Sequence, residues 1–309
     1  MRFWIGAAIV SIVGIGLPLL PVNEYFFYAG YMVLSFVVLA TAWNILGGYA
    51  GYVNFGPPAF FGIGAYAAVV LFKWLQAPLA VQIAGAALMG GLLGFGVGLL
   101  TLRLRGIFFA IATVAVVFIM ETLMVNWRFV GGATGLQILR PPVEIFDSYT
   151  RMLFAVMAVM AVAAVAIARY MQVSWIGRGL RALRDSEDAA ECSGVPTLKL
   201  KLLACATSGA LMAAAGAPMP MYLSFIEPAS TFNLSYTIAA LGSAIIGGMV
   251  HWAGPIIGAV LLGTLQQIVT VTISSEINVL VVGVLLVVFV VAAPEGILGL
   301  LRKHFPGKK

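Results

Sequence analysis

The chain has 309 residues, of which 62% are hydrophobic and 9% charged, with a mean hydropathy of +1.07. Soluble domains carry about a quarter charged residues. This composition therefore excludes a soluble globular protein, and the long continuous apolar runs exclude the alternating pattern of a transmembrane barrel. The formal net charge of +6 and pI near 9.4 do not point to nucleic acid, because the basic residues are gathered on one side of the expected topology.

Hydropathy places spans at 3–20, 25–47, 55–72, 80–101, 106–126, 152–171, 200–222, 235–250, 254–273 and 278–293. The expected fold class is an all-α polytopic membrane protein of about ten transmembrane helices, forming one domain over residues 1–309. An even count puts both termini on the side of the charged stretch that follows the sixth span. With that side cytoplasmic, thirteen of the 17 Lys and Arg face the cytoplasm. Lys73, Arg128, Arg140 and Arg151 are left outside, a bias that satisfies the positive-inside rule. The first span starts like a signal peptide but has no small-x-small site before the Pro21-Val22-Asn23 turn, so it is expected to be retained.

Residues 42–66, AWNILGGYAGYVNFGPPAFFGIGAY, crowd glycines around Pro57 and Pro58 inside an apolar stretch. Proline removes a backbone donor and clashes with the preceding turn, so a broken segment is expected. Opened backbone at membrane depth must be buried in protein or line a wet cavity. Asn44, Asn54 and Gly56 are candidates for such a lining, with a glycine-mediated helix contact as the alternative. Glu121 is a carboxylate within an apolar run, about one turn from its outer end, and joins them as a pathway candidate. Residues 127–151 form the longest outside, periplasmic loop. There Gly131, Gly132 and Gly135 predict a flexible turn, and Pro141 and Pro142 a stiff continuation.

The stretch 174–201, SWIGRGLRALRDSEDAAECSGVPTLKLK, is the long charged island of the chain. Its spacing predicts one amphipathic helix of about three turns within 176–194. Leu180 and Leu183 form its apolar side, with Ile176. The pairs Arg181–Asp185 and Arg184–Asp188 stand at i,i+4 spacing. Gly194 and Pro196 mark its end. Such a helix either docks on a cytoplasmic partner, or is a solvated connector or a helix lying on anionic lipid. Farther on, GSAIIGGMVHWAGPIIGAVLLG at 242–263 echoes the first glycine–proline break and suggests a second gating region.

No catalytic motif is present: there is no P-loop, no HExxH and no GxSxG. His251 and His304 stand alone and Cys192 and Cys205 read as structural thiols, so neither metal nor disulfide is expected. Charges in mid-membrane, which ion-coupled carriers use, are nearly absent. Energy is therefore expected from another subunit, with a channel or gradient-driven carrier as the rival class.

Several stretches in order, AWNILGGYAGYVNFG at 42–56, FFGIGAY at 60–66, GIFFAIATVA at 106–115, ETLMVNW at 121–127, GGATGL at 131–136, SWIGRGLRALRDSEDAAECSGV at 174–195, IIGGMVHWAGPIIGA at 245–259 and PEGILGLL at 294–301, resemble the inner-membrane permeases of bacterial ABC importers for branched-chain amino acids, most closely the M-type subunit. Many relatives have Ser-x-Gly-His where this chain has Asn54-Phe55-Gly56-Pro57. The resemblance implies a permease working by alternating access in the bacterial inner membrane. Its partners would be a second related permease, two ABC ATPase subunits that use ATP and Mg, and a periplasmic binding protein, besides membrane lipid; the chain itself would hold no cofactor. The 174–195 block resembles the ATPase-contacting loop, which implies coupling roles for Gly177, Arg178, Leu180, Arg181, Leu183, Arg184, Asp188 and Glu191. Relatives with similar motifs are associated with urea or short amides, the alternative substrates.

Overall fold

The computed structural model describes residues 2–21, 23–101, 104, 106–140, 148–272, 275–292 and 296–304. Arg103, Arg105, Pro141, Pro142, Lys308 and Lys309, to which the sequence reading assigns topological or loop roles, lie outside them. The chain begins with α1 (Arg2–Gly16), α2 (Glu24–Asn44), α3 (Pro57–Leu75), α4 (Leu79–Thr101), α5 (Ile107–Asn126) and α6 (Tyr149–Val173). Two short helices follow, α7 (Trp175–Asp185) and α8 (Glu187–Cys192). It then continues through α9 (Thr197–Gly216), α10 (Met219–Leu223), α11 (Pro228–Thr231), α12 (Ser235–Gly247), α13 (Gly254–Thr272), α14 (Ser275–Ala292) and α15 (Gly296–His304). Among the described residues, 8 segments are long and apolar enough to cross a membrane. The further spans expected at 3–20 and 278–293 coincide with α1, which is shorter, and with α14. The all-α polytopic class therefore holds.

Without a hydrophobic driving force between helices in lipid, close packing depends on small residues. A Cβ on Gly209 of α9 would sit 2.6 Å from the carbonyl oxygen of Gly90 on α4, and one on Gly94 the same distance from that of Cys205. The core contains Tyr31, Trp43, Phe60, Phe61 and Tyr66, all nearly inaccessible. Tyr222 stacks between Tyr28 and Tyr31, at 4.7 and 4.1 Å.

The echo at 242–263 is not a second broken span. It is the tight turn joining α12 to α13, where the backbones of Gly247 and Gly254 meet and Gly258 abuts the Ser243 carbonyl. Gly248 turns the chain at φ 107. The other glycines of this stretch serve helix contact.

As far as Arg140, the outside loop has defined local structure rather than a free turn. Gly131, Gly132 and Gly135 all take positive φ, a conformation that glycine adopts without steric cost, so they shape the loop. Strand β1 (Leu136–Gln137) pairs antiparallel with β2 (Phe225–Ile226), and Arg140 donates to the carbonyls of Met221 and Tyr222. At the same end, Arg151 donates to Glu24 at 2.7 Å and to the carbonyls of Pro18 and Leu20, tying the turn after α1 to α2 and α6. The opposite end carries α7 and α8. Phe3 reaches it by its contact with Arg169, and Gly296 by its contact with Gly248. Gln172 there donates to the Val250 carbonyl at 2.9 Å. The starts of α1 and α15 thus share an end with the charged loop.

Candidate functional site

Beyond Asn44, α2 widens into a π-helical turn, Ile45–Tyr49. Two glycines in this turn admit close neighbours where a Cβ would not fit. The Trp43 ring covers Gly47, while the Asn44 amide and the Met249 carbonyl press on Gly48. Such turns insert a residue into the helical ladder and free backbone groups. Gly51, at φ 78, then reverses the chain, and residues 52–56 climb back into the bundle without helical structure. Pro57 and Pro58 start α3, where the missing amide donor costs nothing. The climb is deep: Phe55 meets Thr113, about 9 Å along α5 from its start at Ile107.

Side chains of neighbouring helices replace the lost ladder. The Trp43 indole donates to the Asn54 carbonyl at 2.7 Å. The Phe55 amide donates to Thr113 Oγ1 at 3.0 Å, and Thr237 Oγ1 donates to the Phe55 carbonyl at 3.0 Å. The Gly56 amide donates to Asn54 Oδ1 at 2.7 Å, closing an Asx turn before α3. Non-helical backbone at this depth is thereby paired within protein.

Gly51 supplies a stability test. An Ala there would hold φ 78 and bring its Cβ to 2.7 Å from Arg184 Cγ. Left-handed backbone costs about 1–2 kcal/mol for a residue with a Cβ. Gly51→Ala should lower the melting temperature of the detergent-solubilised chain by a few degrees. Gly96→Ala, in open space on α4, should not lower it. Equal melting of both variants would remove the requirement for glycine at 51.

The charged loop departs from the expected single helix. Ser186 separates α7 from α8 and caps α8 by accepting from the Ala189 amide at 3.4 Å. Arg184 and Asp188 thus belong to different helices, and i,i+4 spacing does not apply to them. Arg181 donates back to the Gly177 carbonyl at 3.3 Å rather than to Asp185, whereas Arg184 lies 3.6 Å from Asp185. The expected end is present: Gly194 takes φ 78, and the Val195 amide bonds the Ala190 carbonyl.

Leu180 and Leu183 are buried, but against this chain's own Ile45, Leu46, Tyr49 and Leu200. Gly177 packs against the last carbonyls of α6. These residues root the loop on the bundle and are not free to anchor a partner. Arg178, Arg181, Asp188 and Glu191 are exposed, with Glu191 accepting from Thr197 Oγ1 at 2.6 Å. Trp175, 59% exposed beside Arg178, enlarges this surface, and the sequence alone assigns it no role.

The loop is joined directly to residues 45–56, the re-entrant segment that links α2 to α3. Arg184 donates to the Gly48 carbonyl at 3.1 Å. Glu187 of α8 accepts from the Tyr52 hydroxyl at 2.7 Å and from Lys201 of α9, whose ammonium also lies 5.1 Å from the Tyr52 ring centroid. The ion pair is largely withdrawn from solvent, with Lys201 4% and Glu187 16% exposed at the side chain. A cavity of about 390 Å³ opens beside it, lined by Gly51, Tyr52, Val53, Ile107, Ala110 and Glu187. The sequence signal for this cluster is weak, since Tyr52 and Glu187 are 135 residues apart.

Of the pathway candidates, Asn54 and Gly56 form the Asx turn, so the Asn54 side chain is engaged with backbone. Asn44 is buried, and its amide faces the Tyr49 hydroxyl without hydrogen-bonding geometry. Glu121 is half-buried on α5, apart from the 45–56 segment.

A bundle of long apolar helices crossed by a buried, re-entrant stretch defines a multi-pass membrane protein. The chain belongs to the branched-chain amino acid transport system permease component family, whose model matches residues 25–290. It is 27% identical over 304 residues to the high-affinity branched-chain amino acid transport system permease protein LivM of Salmonella typhimurium, covering 88% of this chain and 69% of that one. LivM of Escherichia coli is 26% identical over the same shares. The permease LivH of Salmonella typhimurium is 22% identical over 285 residues, 86% of this chain and 91% of its own. No solved structure matches the chain.

Proposed function

We propose that this chain is an inner-membrane permease subunit of an ATP-driven importer for branched-chain amino acids. Partner ATPases bind the exposed face of α7 and α8 and use ATP and Mg; a second related permease and a periplasmic binding protein complete the machine. The observation that carries the coupling is the bond set Arg184–Gly48 and Tyr52–Glu187–Lys201, by which a push on α8 is delivered to the re-entrant segment. Since α3 follows that segment directly, its displacement opens or closes the cytoplasmic half of the pathway. Asn44 stands where the segment departs from α2, and Glu121 lies nearer the outer end of α5, so they mark candidate inner and outer stations.

Reconstitution with the ATPases, the second permease and the binding protein tests substrate and energy source together. Labelled leucine should accumulate only with ATP and binding protein, and labelled urea should not. ATP-independent equilibration, or transport of urea in place of leucine, would overturn the reading. Orientation is tested separately. With Cys192 replaced by Ser, a cysteine at exposed Ser186 should react with an impermeant maleimide in inside-out vesicles but not in intact cells. Labelling of intact cells would reverse the topology.

A further inference from the structure

At the end of the bundle that carries α7, the Arg169 guanidinium lies against two rings, 4.1 Å from the centroid of Phe3 and 5.2 Å from that of Trp252. Those rings meet edge-on at 5.1 Å. Among the described residues Arg169 has no carboxylate partner and its N–H groups make no hydrogen bond. Arginine does not lose its charge in proteins, so this partly buried cation is open to a counter-ion from outside the described protein. The two rings contact the cation without accepting its N–H donors in hydrogen bonds, and forked guanidinium donors suit phosphate oxygens.

From Phe3 and Trp252 an apolar groove of about 510 Å³ leads into the membrane. Val10 and Leu17 of the α1 side and Ile256 of α13 wall it, over a floor that includes Ala158 and Ala161 of α6. Between Phe3 and Leu17 the chain advances about 21 Å, enough to cover one leaflet of a hydrocarbon core about 30 Å thick. A second groove of about 610 Å³ shares Leu34 and Phe154 with the first and continues between α2 and α13 toward Asn23 and Thr272. Its described lining contains no cation. The cation stands at the Phe3–Trp252 mouth of the first groove, and the described lining of the second offers none.

We propose that the first groove is a binding site for one anionic phospholipid, with its phosphate on Arg169 and an acyl chain between α1 and α13. The lipid fills the gap beside α1 and holds that peripheral helix to the bundle. Assignment to the cytoplasmic leaflet rests on the orientation proposed above; the site itself does not.

Native mass spectrometry of the full-length chain, released from nanodiscs of phosphatidylcholine with a graded fraction of phosphatidylglycerol, tests this. The wild type should retain one phosphatidylglycerol in preference to phosphatidylcholine. Arg169→Gln should weaken that retention about tenfold or more and abolish the preference, while Arg169→Lys keeps part of it. Ala161→Phe, which fills the groove and leaves Arg169 in place, should displace the lipid. Free glycerol phosphate should not compete, because it lacks the chain. Equal retention of both lipids by the wild type, wild-type retention by Arg169→Gln, or full competition by glycerol phosphate would overturn the proposal. Since the readout is bound lipid, its failure is separate from failure of the transport reading.

Discussion

Arg178→Glu combined with Arg181→Glu should leave the chain inserted and folded but abolish its association with the ATPase subunits, and uptake with it. Both side chains are exposed, and neither is part of the contact between α8 and the re-entrant segment. At an interface they would be forked cations facing carboxylates. Truncating one partner of a buried charge pair costs about 2–5 kcal/mol, or about thirtyfold or more in affinity, and a charge reversal adds repulsion. On a solvated connector the same change would cost almost nothing. Co-purification of the ATPase with the double variant checks the expectation, and wild-type recovery would return the loop to a passive role. Arg184 is the wrong choice for this test, because its bond to the Gly48 carbonyl would be lost as well.

Glu187→Gln should have the complementary effect: ATPase binding retained, uptake reduced tenfold or more, and more ATP hydrolysed per solute moved. Gln keeps an oxygen for the Tyr52 hydroxyl but removes the negative charge that Glu187 sets against the largely buried Lys201. Breaking a buried pair from one side costs about 3–5 kcal/mol, and the partial exposure of Glu187 places this pair at the lower end. Glu187→Gln with Lys201→Met removes both charges and should recover stability without recovering tight coupling. Transport and hydrolysis measured on the same proteoliposomes separate these outcomes. A variant with an unchanged ratio of the two would exclude Glu187 from the coupling path.

The class of fold was legible because apolar run length is a direct signal, and the break at 42–66 was legible because proline and clustered glycines disfavour a continuous helix there. The apolar side of α7 was legible from the spacing of Ile176, Leu180 and Leu183, but not what it covers. A helical period shows which face is buried, not whether the covering surface belongs to the same chain. The division at Ser186 was hidden by the charges on both sides, which supported one helix by i,i+4 logic. Ser186 is nevertheless a good cap, followed by Glu187 and Asp188 in the first turn of α8. The Tyr52–Glu187–Lys201 cluster was invisible because its members come from three elements brought together only by packing. The glycines at 242–263 misled for the opposite reason: close helix contact and broken backbone draw on the same residue.

The coupling path is tested most directly by distances between spin labels in the assembled transporter, without nucleotide and in the ATP-trapped state. With labels at Val53 and Ala189, the separation should stay constant, because the re-entrant segment and α8 are expected to move as one body. With labels at Val53 and Ile107, which line the same cavity, it should change with nucleotide as the segment shifts against α5. A Val53–Ala189 distance that changes while Val53–Ile107 stays fixed would mean that α8 moves without the segment, contradicting the account.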